Sequence, residues 1–410
     1  MSAVVALQAR TFRSLRRHHN SRLFFAGQIV SLAGSWMQNV ALAWLVLQLS
    51  RSPLAVAALI FCRFAPYTLL GIPAGALVDR LDSRLVVMWM QGAALLVSVA
   101  LAIVALTGTA SLPVVYALAA LGGVTLVLDA PARQSLTFEM VGPRELPNAV
   151  ALNSSLLNAS RVLGPAIAGV TIASLGIGAC FVVNAVSFLA VLLALALMRT
   201  DELHRTERGP GEVTSILGGT REGLRFAADA PEIRAVLLIV TVVGLVGFNF
   251  NTLVPLLASD TLHVGATAFG LLSAAFGAGA FAGALVTASF RRASWRAFSA
   301  GTLGFSLLML ALAPVRNAWL AAALLAAIGA CFTVFASSAN ALVQLGTPGY
   351  LRGRLIALYL FAFVGLAPLG ALLAGFLASV GGTPLAFAVT GLTGLVAIGV
   401  ATVRRRLSAA

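Results

Sequence analysis

The sequence predicts an all-α membrane protein with twelve transmembrane helices in two parallel six-helix halves and with both termini in the cytoplasm. Of its 410 residues, 60% are hydrophobic and only 10% are charged, whereas soluble domains carry about 25% charged residues. The hydrophobic residues fall in runs of about 20, which is the length a helix needs to cross the bilayer. The basic residues are concentrated in alternate loops between these runs, and that alternation sets the orientation.

Twelve apolar runs of sufficient length follow one another with little chain between them. The first is longer than a signal-peptide core and lacks a small-residue cleavage site, so we expect an uncleaved helix. The approximate spans are residues 23–49, 54–78, 85–106, 113–131, 148–175, 177–198, 235–257, 266–290, 297–313, 317–342, 355–380 and 384–403.

All 27 basic residues are arginine, and basic residues in short loops stay on the cytoplasmic side. With the N-terminus inside, 23 arginines lie in cytoplasmic segments, and only Arg51 and Arg316 lie in outer loops. Arg63 and Arg161 fall within spans. This distribution predicts a multi-pass membrane protein with an even number of helices and both termini in the cytoplasm.

The longest polar stretch divides the chain into halves of six spans each. A GALV sequence at 75–78 recurs at 283–286, and Pro165 has a counterpart in Pro368. Six helices per repeat make the halves parallel, related by an axis along the membrane normal. The predicted segments are a basic cytoplasmic N-terminal segment (1–22), an N-terminal half (23–198), a cytoplasmic central loop (199–234), a C-terminal half (235–403) and a basic C-terminal tail (404–410).

Part of the central loop has the pattern of a short helix in the inner membrane interface. Its apolar residues share one side, next to two arginines. The alternative is a solvated linker. The residues concerned are Val213, Ile216, Leu217 and Leu224, with Arg221 and Arg225.

The loop after the second span, GALVDRLDSR, predicts a charged latch at the inner ends of the helices. A carboxylate beside guanidinium groups makes strong hydrogen bonds that can hold helix ends together in one conformation. We expect Asp79 to pair with Arg133 and Arg84 to pair with Asp129. The alternative is a solvated loop that only sets topology. The candidate gate residues are Gly75, Asp79, Arg80, Arg84, Asp129 and Arg133.

Arg161 is the most informative polar residue, because it lies about 20 Å into its span and a charge at that depth usually faces a wet cavity. Ser154 and Asn158 fall on the same face of the helix, within about 60°. The first span adds Gln28, Ser35 and Asn39 within about 40° of each other. The alternative is a structural arginine bonded to neighbouring carbonyls.

Three further positions leave alternatives open. Arg63 either lines the cavity or extends its side chain to the outer interface. Asn249 and Asn251 are two residues apart, so only one faces the cavity, and Asn249 is the candidate. The pair Gly164 and Pro165 predicts a bendable seam or a purely structural kink.

The loop motif, the twelve spans and the parallel halves resemble the major facilitator superfamily. The runs DAPARQ, PRELPNAVALN, RVLGPAIAG, GLRF and LRGRLIAL resemble its branch of enterobactin exporters and macrolide efflux pumps. Asp82 departs from the glycine that is usual at its position in the motif. The resemblance implies an alternating-access secondary transporter in the bacterial cytoplasmic (inner) membrane. Such a transporter would export a bulky organic small molecule, driven by proton exchange.

No acidic residue or histidine falls in mid-membrane, although proton-coupled transporters generally need such a group. Proton coupling is therefore expected, if at all, at Asp79 and Asp129. A cavity with arginine and no acid favours an anionic or polar substrate, such as a siderophore-like compound. The alternatives are a proton-coupled multidrug or macrolide pump and a lysolipid transporter.

Other classes of protein are not supported by the sequence. The inner loops lack a cluster of catalytic residues, so we expect no enzyme. Cys62, Cys180 and Cys331 are far apart in apolar runs, which predicts no metal site and no cofactor. The expected partners are a small-molecule substrate and the lipid bilayer, with no nucleic acid, and we expect a monomer.

Overall fold

The computed structural model describes residues 13–78, 81–204, 216–247, 249–289, 294–348 and 351–409. These residues form helices and connecting turns, and they contain no β-strand. The prediction of an all-α chain is therefore confirmed.

Helices follow one another along the whole described chain. In order they are α1 (Arg13–Arg17), α2 (His19–Ser50), α3 (Pro53–Val78), α4 (Ser83–Leu106), α5 (Leu112–Leu175), α6 (Ile177–Ala196), α7 (Ile216–Asp229), α8 (Pro231–Gly247), α9 (Phe250–Leu256), α10 (Ala266–Ser289), α11 (Trp295–Leu312), α12 (Ala318–Leu345), α13 (Arg352–Leu360) and α14 (Ala367–Ala409). Two π-helical segments, π1 (Leu257–Thr261) and π2 (Phe361–Gly365), and a 3₁₀ turn (Thr200–Glu202) complete them.

Ten helical segments among the described residues are long and apolar enough to cross a membrane. Two of them, Leu112–Leu175 and Arg352–Val403, have 64 and 52 residues. Each long segment contains a glycine with a positive φ, at Gly142 (φ 67°) and Gly382 (φ 69°), with a proline one or two residues further on. A positive φ interrupts helical geometry without steric cost only at glycine, so each long helix is divided at that point.

The chain packs as two compact units. The first comprises Met1–Leu42 and Leu69–Gly211, and the second comprises Ala43–Thr68 and Glu212–Ala410. The segment boundaries predicted from sequence stay a prediction.

In the first unit, a buried polar network lies among α2, α4 and α6. Gln38 Oε1 accepts hydrogen bonds from Ser98 Oγ and Asn184 Nδ2, both at 2.7 Å. Ser187 Oγ donates to the Asn184 side chain at 3.0 Å. Polar groups inside a membrane protein need such partners, so this network specifies how the three helices pack.

In the second unit, α10 and α12 cross at very short range. A Cβ added to Gly279 or Gly283 would overlap the carbonyl oxygen of Ala326 or Ala330, respectively. Small residues four apart allow this close approach of two membrane helices. Phenylalanine rings fill the space alongside, with Phe250 within 4.1 Å of Phe276 between ring centroids.

The central loop contains a helix, α7. Leu224, Arg221 and Arg225 are exposed on it. The predicted position of Val213 lies outside the described residues. Whether α7 lies in the membrane interface stays a prediction.

Candidate functional site

The polar stripe of α5 is centred on Arg161, and α2 provides its neighbour. The guanidinium carbon of Arg161 lies 5.4 Å from the centroid of the Trp36 ring, a cation–π distance. Arg161 is partly buried, and it forms no hydrogen bond or ion pair with any described residue. A guanidinium in this environment has unused hydrogen-bond donors, so an anionic group would bind there favourably.

Gly164 positions this pair. A Cβ at Gly164 would lie 2.8 Å from the Ala33 carbonyl oxygen and would overlap the Cβ of Trp36. The glycine therefore lets α5 lie directly on α2, one turn beyond Arg161. The backbone of α5 stays helical through Pro165, because Gly142 alone in this helix has non-helical dihedral angles. The predicted bendable seam stays a prediction.

The other predicted residues of the stripe differ in exposure and in the hydrogen bonds that their side chains make. Ser154 is exposed, whereas the Asn158 amide donates to the Ser154 carbonyl at 2.9 Å. The Gln28 amide donates to Asn153 Oδ1 at 2.8 Å and links α2 to α5. Asn153 and Trp36 are not among the predicted residues, because neither stands out by charge from the neighbouring sequence.

Two further predicted polar residues lie on α2, the helix that also contains Trp36. Ser35 and Asn39 are partly buried, and the Oδ1 atom of Asn39 is buried without a hydrogen-bond partner. The Oε1 atom of Gln28 is also buried without a partner. Either oxygen could accept a hydrogen bond from a polar ligand.

In the second unit, Asn249 occupies a break between α8 and α9. It is 2% exposed, and its amide donates to the carbonyls of Leu245 and Val246 at 3.0 and 3.1 Å. Asn249 thus caps the broken end of α8, a role that the cavity prediction did not foresee. Asn251 is more exposed than Asn249.

Arg63 lies on α3 in the second unit. It is partly buried and makes no hydrogen bond or ion pair with the described residues. Its predicted cavity role stays a prediction.

In the charged cluster around Asp129 in the first unit, Asp129 and Arg84 have other partners than those predicted. Asp129 accepts two hydrogen bonds from Arg133, at 2.7 and 3.0 Å, and a third from Gln91 at 2.9 Å. Arg84 donates to the Leu195 carbonyl at 2.8 Å. The predicted pair between Arg84 and Asp129 is therefore wrong, because an i, i+4 arginine on the same helix satisfies the carboxylate first.

The rest of the loop motif is partly described. Gly75 lies in the last turn of α3, and Asp79 and Arg80 lie outside the described residues. Asp82 caps α4 by accepting a hydrogen bond from the Leu85 amide at 3.1 Å. This capping role explains why an acid at this position is tolerated in place of glycine. The Arg133 guanidinium also lies 5.6 Å from the Phe24 ring centroid.

A second cluster in the first unit joins the chain before α2 to α5 and to the segment that follows α6. Arg17 pairs with the buried Glu145 at 3.0 Å, and the His18 ring packs edge-on against the His204 ring at 6.2 Å. Burial, and then the neighbouring His204, lower the pKa of His18. No feature of the sequence pattern indicated that these two histidines meet.

The described residues form only helices and turns, and isolated charged side chains such as Arg161 lie within the apolar helices. This arrangement is typical of membrane transporters. The chain belongs to the major facilitator family described as transmembrane secretion effectors, whose profile matches residues 9–410. Members of this family are transporters rather than enzymes. The resemblance inferred from the loop motif is thereby confirmed.

Individual relatives and structures agree with this family. The chain is 24% identical to the staphyloferrin A transporter of Staphylococcus aureus, over 91% of this chain and 93% of that protein. It is 28% identical to the multidrug efflux pump Tap of Mycolicibacterium fortuitum, over 87% and 88%. Its fold is similar to that of a bacterial homologue of the human lysosomal transporter Spinster, with a TM-score of 0.69, 14% identity and 94% of each chain covered.

Proposed function

We propose that this protein is an alternating-access secondary transporter that exports a bulky organic anion across the bacterial cytoplasmic membrane. The observation that carries the proposal is the Arg161 guanidinium, which lies in a membrane-spanning helix against Trp36 and has no acidic partner among the described residues. A carboxylate or a catecholate on the substrate would supply the missing negative charge. The aromatic ring beside it suits a substrate with a planar, apolar body.

We propose a topology of twelve transmembrane helices with both termini in the cytoplasm. Two of the ten candidate segments have 64 and 52 residues, and a single crossing needs about 20. Each contains an interruption near its middle, at Gly142 and at Gly381–Gly382. If each of these two segments is counted as two spans, the number of spans rises from ten to twelve, in agreement with the arginine distribution.

Export by proton exchange is the coupling that we propose. The candidate proton-binding groups are Asp79 and Asp129, at the inner end of the first unit. Asp129 is 9% exposed and bonded to Arg133 and Gln91, so a change in its protonation would weaken a buried contact between α4 and α5. Such a coupling of charge to helix contact is what an exchange mechanism requires.

Two other substrates fit the same architecture. The multidrug pump among the relatives supports a broad-specificity exporter in which Arg161 is structural, and the apolar spans suit a lysolipid. In both alternatives Arg161 contributes packing rather than recognition. We propose a monomer whose partners are its substrate and the bilayer, without nucleic acid and without a bound metal or cofactor.

The substrate class is tested by uptake into inside-out vesicles under an imposed pH gradient. The probes are an anionic catechol and a lipophilic cation, each measured with wild type, Arg161→Gln, Arg161→Lys and the exposed outer-loop control Arg316→Gln. We expect anion uptake to fall by at least about tenfold in Arg161→Gln, because a charged hydrogen bond contributes roughly 1.5–3 kcal/mol. Arg161→Lys should be intermediate, since lysine keeps the charge and loses the planar fork.

Two results would contradict this proposal. Anion uptake that is equal in wild type and Arg161→Gln would make Arg161 structural. Cation uptake that depends on the pH gradient, without any anion uptake, would favour the multidrug exporter. A melting curve for each variant separates a loss of binding from a loss of folding.

A further inference from the structure

Helix α7 is attached to α13 by one narrow face. Gly223 is buried there, and a Cβ added to it would lie 3.4 Å from side-chain atoms of Arg354 and Leu358. Ala227, one turn further on, is 6% exposed. Glu222 forms an ion pair with Arg354. These contacts fix the rotation of α7 about its own axis.

A different face of α7 has no partner within the described residues. Arg221, Leu224 and Arg225 are spaced i, i+3 and i+4 and therefore lie side by side. All three are exposed, Leu224 by 54%. Neither guanidinium makes a hydrogen bond or an ion pair with a described residue. The acids of α7 lie beside this face, and one of them, Glu222, is already paired with Arg354.

We propose that this face, formed by Arg221, Leu224 and Arg225, binds an anionic phospholipid of the inner leaflet. An exposed leucine between two arginines gives the helix an apolar anchor and two cations at the level of the headgroups, and this is the pattern of interfacial helices. Each arginine near an anionic bilayer surface strengthens attachment by a factor of about five. The inference rests on the topology that places the central loop in the cytoplasm, and it does not depend on the transported substrate.

Lipid binding at this face would act on α13 through the contacts already described. A lipid that holds α7 at the membrane surface also favours the Gly223 and Glu222 contacts with α13. Because α13 leads directly into the π2 segment, anionic lipid would stabilise this part of the second unit.

The test compares amide hydrogen exchange of the full-length protein in lipid nanodiscs of phosphatidylcholine with and without phosphatidylglycerol. Phosphatidylglycerol should slow exchange in residues 221–229 of wild type by about tenfold or more. The double variant Arg221→Gln/Arg225→Gln should lose this protection, and Arg221→Lys/Arg225→Lys should keep it, because attraction to the surface depends on charge. The outer-loop variant Arg316→Gln should behave as wild type.

A further arm uses soluble glycerol phosphate with phosphatidylcholine nanodiscs, and we expect no protection, because the leucine anchor needs a bilayer. Equal exchange of wild type in the two lipids would overturn the proposal, as would full protection in the glutamine variant or protection by the soluble phosphate. The exchange of the variants in phosphatidylcholine alone shows whether α7 still folds, since glutamine and arginine have similar helix propensities.

Discussion

Gly164 allows the backbone of α5 to lie on α2 beside the Arg161–Trp36 contact. A methyl group at this position would meet the Cβ of Trp36 and the carbonyl oxygen of Ala33, which is 2.8 Å away. Neither backbone nor Cβ atoms can rotate aside, so Gly164→Ala should lower stability by about 1–3 kcal/mol, as overpacking does. The decrease is measured as a lower melting temperature.

The matched control is Gly92→Ala in α4, where an added Cβ meets no atom within 4 Å. Its melting temperature should stay at the wild-type value or rise, because alanine favours the helix over glycine. Equal effects at the two positions would show that close helix contact at Gly164 is unimportant.

His18 makes the stability of the first unit depend on pH. Burial and the nearby His204, together with Arg17, lower its pKa below the ordinary 6.5, while Glu145 and Glu202 act in the opposite direction. The unfolded chain then binds the proton more readily than the folded protein. Stability from the neutral ring is therefore present above pH 6.5 and is lost as the pH falls below that value.

We expect the melting temperature of wild type to fall between about pH 7.5 and pH 5.5, and to fall less in His18→Asn. The control is His263→Asn in the second unit, where the backbone has a positive φ of 52° that asparagine tolerates. A decrease that is the same in His18→Asn as in wild type would assign the pH dependence to another group.

At the scale of single residues, the sequence shows where an isolated charge lies but not which side chains contact it. Arg161 is recognisable as a charge within an apolar run. Trp36 is indistinguishable by sequence from a core aromatic residue, although it contacts Arg161. The partner of Asp129 depends on which side chains share its face of the helix. The predicted gate was based on the position of the loop alone, and it therefore paired Asp129 with Arg84 instead of Arg133.

At the scale of elements, Thr68 connects α3 to the irregular segment π2. Its hydroxyl donates to the Gly365 carbonyl at 2.7 Å. Carbonyl groups in a π-helix depart from the regular i+4 pattern, and this hydrogen bond gives the Gly365 carbonyl a partner on another helix. Thr68→Val should remove this partner, at a cost of about 1–2 kcal/mol.

Amide hydrogen exchange of residues 361–366 should therefore increase in Thr68→Val. The control is Thr241→Val, whose hydroxyl bonds only to the Leu237 carbonyl of its own helix. Unchanged exchange around π2 in Thr68→Val would mean that the segment is held by packing alone.

The composition of the sequence indicates where the helices lie. It does not indicate where they end or where their geometry is irregular. Apolar runs mark where a helix crosses the bilayer, so each predicted span lies mainly in observed helix, although 235–257 crosses the break at Asn249 and 355–380 crosses π2. Apolar runs do not mark where a helix ends: the helix of the predicted fourth span, 113–131, continues to the interruption at Gly142. The π segments and the break at Asn249 depend on neighbouring helices, which no local pattern reports.

For the whole molecule, the arginine distribution predicts which loops face the cytoplasm. The test uses a variant in which Cys62, Cys180 and Cys331 are replaced and a single cysteine is introduced. A cysteine at the exposed position of Thr109 should react with a membrane-impermeant maleimide in intact cells. A cysteine at exposed Asp229 should react only after the cells are permeabilised. The reverse pattern, or labelling of both in intact cells, would contradict the proposed orientation.

The central claim is that Arg161 recognises a negative charge on the substrate. The most direct measurement is the affinity of purified wild type, Arg161→Gln and Arg161→Lys for dihydroxybenzoate and for the corresponding neutral amide, which has nearly the same shape. Wild type should prefer the acid by about tenfold or more, the lysine variant should keep part of this preference, and the glutamine variant should bind both ligands equally. Equal affinity of wild type for acid and amide, or an acid preference that persists in Arg161→Gln, would contradict the claim.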